Sequence, residues 1–280
     1  MLYRTFWQKL LACCDEREAK AVARLVYEEL FGMTLADIFM GVDNSMSAAD
    51  DQRCAAVLSR LLQSEPVQYV LGRATFCERV FEVSPDVLIP RPETEQLCHL
   101  CAEKARQAGK PMSVLDIGTG SGCIAITLAL ELPKADVSAC DISEGALSVA
   151  RRNARRLGAR VNFFAADALS MTSATHGKYD MIVSNPPYIC LKEKADMEKT
   201  VTEHEPETAL YVPDDNPLLF YRAIARYSAE SLNAGGWLMF EINPRFADDM
   251  CTMLRDFGFA DVAVYDDQFG RKRMTGGRKQ

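Results

Sequence analysis

Hydrophobic and polar positions change rhythm twice along the chain, and each change marks a change of structure. Residues 19–30 and 47–62 place apolar side chains every three or four positions, the spacing of amphipathic helices. Gly32 and Gly41 punctuate these runs, and Ser47 or Asp50 offers an N-cap to the second. Residues 1–63 are therefore expected to form a small helical bundle. The helical period is lost over 64–90, where residues 68–72, 74–76 and 79–83 read as short strands and predict a β-hairpin bridge. From Glu93 onward, helical stretches such as 92–108 and 123–132 alternate with apolar strands near 114, 137, 161, 180 and 237. That alternation predicts a mostly parallel, doubly wound α/β sheet. Two late segments, 262–265 and 273–275, are expected to add a final hairpin and complete seven strands.

The chemistry gathers at strand ends. Residues 114–117 run into Gly118-Thr119-Gly120-Ser121-Gly122, a glycine-rich turn opening a helix. Glycines there let backbone approach a ligand closely, and the following helix N-terminus is expected to offer N–H groups. A dinucleotide fingerprint would need glycine at 123, where Cys123 stands. Asp141 ends the next strand, about twenty residues beyond the turn, the offset of a carboxylate that accepts ribose hydroxyls. It could equally cap the next helix, a task Ser143 also suits. Asp167, followed by Ala168, comes after the strand near 161.

The fourth strand, 179–184, ends in Asn185-Pro186-Pro187-Tyr188. Two prolines stop any helix and lack N–H donors, so the chain leaves the sheet extended. Acceptors dominate: the Asn185 side-chain oxygen and the Pro186 carbonyl, with the Tyr188 ring close by. Such a set suits a planar, conjugated amino group, which has two N–H donors and a flat π face. A simple turn after a strand is the plainer alternative.

Composition narrows the field. The chain of 280 residues carries a net charge of −7, against a protein that grips nucleic acid mainly through its phosphates. Arg151, Arg152, Arg155 and Arg156 read as a solvated helix face. No apolar run approaches the ~20 residues of a membrane span, and the first residues lack a signal-peptide core, so a cytoplasmic protein is expected. The ten cysteines are scattered; Cys98-x-x-Cys101 has no second pair to complete a metal site, so no metal is expected.

The glycine turn, with an acidic residue two positions before its first glycine, resembles the first motif of Rossmann-like S-adenosylmethionine-dependent methyltransferases. From about residue 66 almost to the C-terminus the chain resembles one family of them, the N5-glutamine methyltransferases of peptide chain release factors. The resemblance rests on Pro66-Val67-Gln68-Tyr69-Val70-Leu71-Gly72, on the lead-in Phe81 to Glu95 with its Pro90-Arg91-Pro92-Glu93-Thr94-Glu95, on Asn185-Pro186-Pro187-Tyr188, on Glu205-Pro206-Glu207-Thr208-Ala209-Leu210 and on Gly270-Arg271. Two positions depart from the family pattern: Asn243 replaces a glycine, and Tyr211 to Asn216 replaces a glycine-rich turn.

The resemblance implies a Rossmann-like seven-stranded sheet, a helical substrate-recognition domain over 1–72, a hairpin linker over 73–90 and a methyltransferase domain over 91–280. It implies S-adenosyl-L-methionine as cofactor, held by Gly118, Thr119, Gly120, Ser121 and Gly122, by Asp141 at the ribose, by Asp167 and Ala168 at the adenine, and near Asn185. Asn185, Pro186, Pro187 and Tyr188 would bind a glutamine on the Gly-Gly-Gln loop of class I release factors. Asn185 and Pro186 would hold its amide hydrogens while Tyr188 packs against the amide plane. No direct nucleic-acid binding is expected. Two alternatives stay open: a methyltransferase of exocyclic base amines, which shares the Asn-Pro-Pro-Tyr logic, and a catalytically silent cofactor-binding scaffold.

Overall fold

A computed structural model describes residues 1–173 and 177–280. The chain divides into two units: residues Met1–Arg73 with Glu198–His204, and Ala74–Met197 with Glu205–Gln280.

The first unit is helical: α1 (Tyr3–Leu10), α2 (Glu16–Phe31), α3 (Leu35–Phe39), α4 (Ala48–Leu61) and α5 (Val67–Leu71). Its apolar faces meet in one cluster that includes Phe6, Leu10, Val26, Tyr27 and Leu58. Ser47 is the N-cap of α4 and Asp50 sits three residues on; each side chain bonds the other's backbone N–H, closing a capping box. The strand expected over 68–72 is instead α5. Pro66 starts it and Gly72, at φ 71°, closes it in the left-handed region. The β-forming side chains of Gln68-Tyr69-Val70-Leu71 are overridden because Tyr69 is buried and Val70 and Leu71 pack against the helical cluster.

Strand β1 (Arg73–Phe76) begins on the last residue before the second unit and pairs with β2 (Arg79–Glu82) across Cys77 and Glu78. Helix α6 (Pro92–Ala108) leads into the main sheet. Its strands are β3 (Ser113–Ile117), β4 (Asp136–Asp141), β5 (Asn162–Ala165), β6 (Tyr179–Ser184), β9 (Leu232–Glu241), β10 (Phe259–Asp266) and β11 (Lys272–Lys279), after two short strands β7 (Ile189–Cys190) and β8 (Tyr211–Val212) that pair apart. The spatial order is β10-β11-β9-β6-β3-β4-β5. From β9 to β5 the pairs are parallel, and β11 is antiparallel to both neighbours. The seven-stranded, mostly parallel sheet and its closing hairpin are as expected from the sequence.

Helices α7 (Cys123–Glu131), α8 (Glu144–Leu157), the short α9 (Lys199–Thr202) of the first unit, α10 (Leu219–Ser231) and α11 (Ala247–Asp256) complete the chain. Two apolar clusters cover the two sheet faces, one containing residues of α6 and α7, the other residues of α10 and α11. Such double cover explains why β3 and β6 are buried nearly throughout.

The strand order reverses between β3 and β6, the switch point where open α/β sheets bind ligands at the carboxyl ends of their strands. Ser184 ties those two ends together, its hydroxyl donating to the Ile117 carbonyl at 2.6 Å. At the opposite end Asp180 of β6 accepts from the Ser113 amide (3.0 Å), Lys110 (2.8 Å) and Asn233 (3.1 Å). Burial alone would raise its pKa, but Lys110 and these donors outweigh burial and hold the carboxyl at about 2. Both ends of the β3–β6 pair are thus fixed by side chains.

Candidate active site

The turn after β3 depends on glycine conformation: Gly118, Gly120 and Gly122 have φ of 75°, 54° and 82°. Its amides are not open donors, however. Gly118 and Thr119 both donate to the Cys140 carbonyl, at 2.9 and 3.0 Å, and Gly120 donates to Asp141 Oδ2 at 2.9 Å. The cause is register: Ile117 pairs with Cys140, so the β3–β4 ladder runs on into the turn. Beneath it the Thr119 hydroxyl donates to Asp116 at 2.6 Å. Burial pushes the Asp116 carboxyl up to about 7, despite hydrogen bonds from Thr119 and the Ala125 amide.

Asp141, at the end of β4, is freed from capping. Ser143 caps α8, accepting from the Ala146 amide at 3.1 Å. The Asp141 carboxylate is oriented by the Gly120 amide and by the Ser143 amide at 3.0 Å. Burial raises its pKa, and these backbone donors work against the rise. Asp167 makes a local turn, accepting from the Leu169 amide at 2.9 Å.

One cavity of about 430 Å³ lies at the switch point, within the roughly 300–1,000 Å³ of small-molecule sites. Gly118, Thr119, Gly120, Ser121, Asp141, Asp167, Ala168, Asn185, Pro186 and Pro187 line it. Gly122 and Tyr188 are not among the lining residues. Gly122 instead lies where a Cβ would meet Ile126 at 2.9 Å and Ala150 at 3.1 Å, so it lets α7 pack closely on α8. A Cβ on Gly118 or Gly120 would meet nothing within 4 Å, which leaves a backbone cradle open to the cavity.

Asn185 is held from behind. Its Nδ2 donates to Thr94 Oγ1 at 3.2 Å, and that hydroxyl donates to Glu241 Oε2 at 2.6 Å. Among the described residues no hydrogen bond occupies Asn185 Oδ1 or the Pro186 carbonyl, so two acceptors in the cavity wall remain uncommitted. The Tyr188 ring, expected against a substrate amide, packs on the apolar cluster beside α10, and its hydroxyl donates to Glu241 Oε1 at 3.1 Å. It supports the wall rather than forming it.

Several neighbours carry no signal in a reading by residue type alone. Thr94 and Arg91 line the cavity from the lead-in segment, and Arg91 pairs at 2.5 Å with Glu205, whose second oxygen accepts from the Ile89 amide at 3.2 Å. That contact ties the lead-in to the Glu205–Leu210 run, and both segments belong to the quoted resemblance. Leu169, Phe220 and Ile224 supply apolar wall and lie in no motif. The two departures also find their places. Asn243 donates to the Tyr188 carbonyl (3.3 Å) and to Glu193 (3.1 Å) while accepting from the Arg245 amide (3.1 Å). A side chain thereby clamps the Asn-Pro-Pro-Tyr segment. Tyr211 lines the cavity, and β8 on which it sits pairs with β7.

Comparison with known proteins shows the family and the fold. Residues 4–72 match the PrmC N-terminal domain and residues 97–205 the Methyltransferase small domain. The release factor glutamine methyltransferase of Bacteroides thetaiotaomicron is 46% identical over 95% of this chain and 95% of its own. That of Flavobacterium psychrophilum is 36% identical over 97% and 96%. Among solved structures, a Thermus thermophilus 16S rRNA N2 G1207 methyltransferase (RsmC) in complex with AdoMet and guanosine superposes with TM-score 0.53 at 17% identity, covering 74% of this chain and 50% of that one. A methyltransferase from Pyrococcus furiosus does so at 0.50 and 17%, covering 79% and 96%. The fold is that of the Rossmann-like methyltransferases, the cofactor is S-adenosyl-L-methionine, and the chain belongs to the release factor glutamine methyltransferase family.

Proposed function

We infer that this enzyme methylates the side-chain amide nitrogen (N5) of the glutamine in the Gly-Gly-Gln motif of class I peptide chain release factors. One observation carries the reading: the uncommitted Asn185 Oδ1 and Pro186 carbonyl share a cavity with the glycine cradle and the Asp141 carboxylate. In this reading residues 1–72 recognise the release factor, 73–90 link, and 91–280 perform the transfer, in the cytoplasm where release factors act. Among the described residues no helix is long and apolar enough to cross a membrane.

The cavity residues fit the cofactor. Gly118 to Ser121 would hold its amino-acid end through backbone shape and the few uncommitted donors, Asp141 its ribose, and Asp167 with Ala168 its adenine. Bound there, the cofactor supplies an electrophilic sulfonium methyl.

The chain's own task is to make a poor nucleophile competent. A carboxamide lone pair is delocalised into the carbonyl, and both N–H bonds lie in the amide plane. Asn185 Oδ1 and the Pro186 carbonyl accept those two hydrogens and fix the direction of the lone pair. Acidity rises on the nitrogen only as the new bond forms, so no strong base is needed beforehand. Catalysis is then mostly orientation and preorganised dipoles. Tyr188 contributes by bracing the wall through Glu241.

A base exocyclic amine is also planar and conjugated, so the same acceptors would suit it. The net charge of −7 and the helical N-terminal segment favour protein. Methyl-labelled cofactor offered with release factor, RNA and DNA side by side should mark the release factor at its Gly-Gly-Gln glutamine. Label in nucleic acid alone would overturn the reading, and label in none would favour a silent scaffold.

A further inference from the structure

An asparagine amide can present either end to a cavity, and only its oxygen can hold an N–H donor. Buried side chains behind the wall settle which end faces in. Thr94, in the first turn of α6, and Glu241, at the end of β9, are 2% and 1% exposed. Burial works against charge on Glu241, while the bonds from Thr94 and Tyr188 and the Arg273 charge favour its ionised form. That carboxylate accepts only, so at 2.6 Å the single hydroxyl hydrogen of Thr94 goes to Glu241 Oε2. The Thr94 oxygen can then only accept, and the group it accepts from at 3.2 Å must be the Asn185 nitrogen. Tyr188 spends its own hydrogen on Glu241 Oε1, which leaves neither carboxylate oxygen to reverse the sequence.

We propose that Thr94 and Glu241 are positioning residues that orient the Asn185 carboxamide with its oxygen toward the substrate amide. This rests on the acceptor role of Asn185 given above. The chain of bonds joins three elements, α6, β9 and the turn after β6, and leaves the Asn185 oxygen uncommitted. Without Thr94 Oγ1 the amide has two comparable orientations, and the wrong one sets an NH₂ against the substrate's own N–H groups.

Thr94→Val keeps the shape and removes the acceptor. It is expected to lower kcat for release-factor methylation by roughly 10-fold, the worth of one hydrogen bond, with cofactor affinity unchanged. Thr94→Ser retains the hydroxyl and should recover most of the rate. The decisive comparison places Thr94→Val in an Asn185→Ala background, where it should cost nothing further, because nothing remains to orient. Glu241→Gln, which keeps volume but turns one acceptor into a donor, provides a second cycle with the same expectation should the valine variant fold poorly. Equal losses in both backgrounds, a serine variant as slow as the valine one, or a valine variant at full rate would each overturn the positioning role. A fully active Asn185→Ala would instead overturn the acceptor role itself, and the two failures are distinguishable.

Discussion

Replacing Gly122 by alanine tests how the sequence builds the turn that frames the cavity, and its effect divides into two parts. At φ 82° an L-residue is strained, which costs about 1–2 kcal/mol. The new Cβ would also lie 2.9 Å from Ile126 Cδ1 and 3.1 Å from Ala150 Cβ. Both neighbours are buried, and Ala150 cannot retreat without moving α8. Overpacking of this kind costs about 1–3 kcal/mol, so Gly122→Ala should lose about 2–5 kcal/mol in all. Gly120→Ala is the matched control. At φ 54° it bears the conformational strain, but its Cβ meets nothing within 4 Å. It should lose only about 1–2 kcal/mol, while its methyl enters the cavity and weakens cofactor binding. Urea denaturation followed by circular dichroism gives the first quantity, and calorimetric titration with S-adenosylmethionine gives the second. Equal stability of the two variants, or undiminished cofactor affinity in Gly120→Ala, would refute the division.

Three further outcomes follow from charges in the second unit. Asp141→Ala should weaken cofactor binding by about 10-fold or more, since charge-assisted hydrogen bonds are worth about 1.5–3 kcal/mol; unchanged affinity in the same titration would remove Asp141 from the site. Asp180, held at about 2 against an ordinary ~3.9, stabilises the fold above pH ~4 and loses that contribution as pH falls toward 2. Asp180→Asn should therefore be less stable than wild type at pH 7, with the gap closing in acid. Asp116 has the opposite sign. Raised to about 7, it keeps a proton in the folded chain that the unfolded chain releases near ~3.9, so its contribution makes stability fall as pH rises between those values. Asp116→Asn should flatten that slope in urea midpoints, and parallel profiles would count against the assignment.

The sheet was legible in the sequence because each strand is a short apolar run ending in punctuation, and strands covered on both faces leave little room for another reading. The ends of β3, β4 and β6 were legible for the same reason: glycines, an acid and a double proline interrupt apolar runs where the chain turns. Helix α5 was not, since five residues cannot display a helical period, and only the packing of Val70 and Leu71 reveals the choice. The closed hydrogen bonding of the Gly118–Gly120 amides was equally hidden, because it depends on the register between β3 and β4. The bonding of Thr94 to Glu241 joins positions 147 residues apart, and no local pattern encodes such a pair. Thr94 lies in a segment that carries the family resemblance and Glu241 two residues before the Asn243 departure, so their location was visible while their partnership was not. Tyr188 shows the reverse case. Its place in the motif suggested contact with substrate, while its ring packs on the apolar cluster and its hydroxyl bonds Glu241.

The most direct test is single-turnover transfer of a labelled methyl from S-adenosylmethionine to a release factor, comparing Asn185→Ala with wild type and locating the label by tandem mass spectrometry. Wild type should place the methyl on the Gly-Gly-Gln glutamine side chain, and the variant should be slower by roughly 10²–10³, the loss typical of one preorganised hydrogen-bonding group. A variant as fast as wild type, or a methyl found elsewhere, would contradict the claim that Asn185 and Pro186 aim the amide.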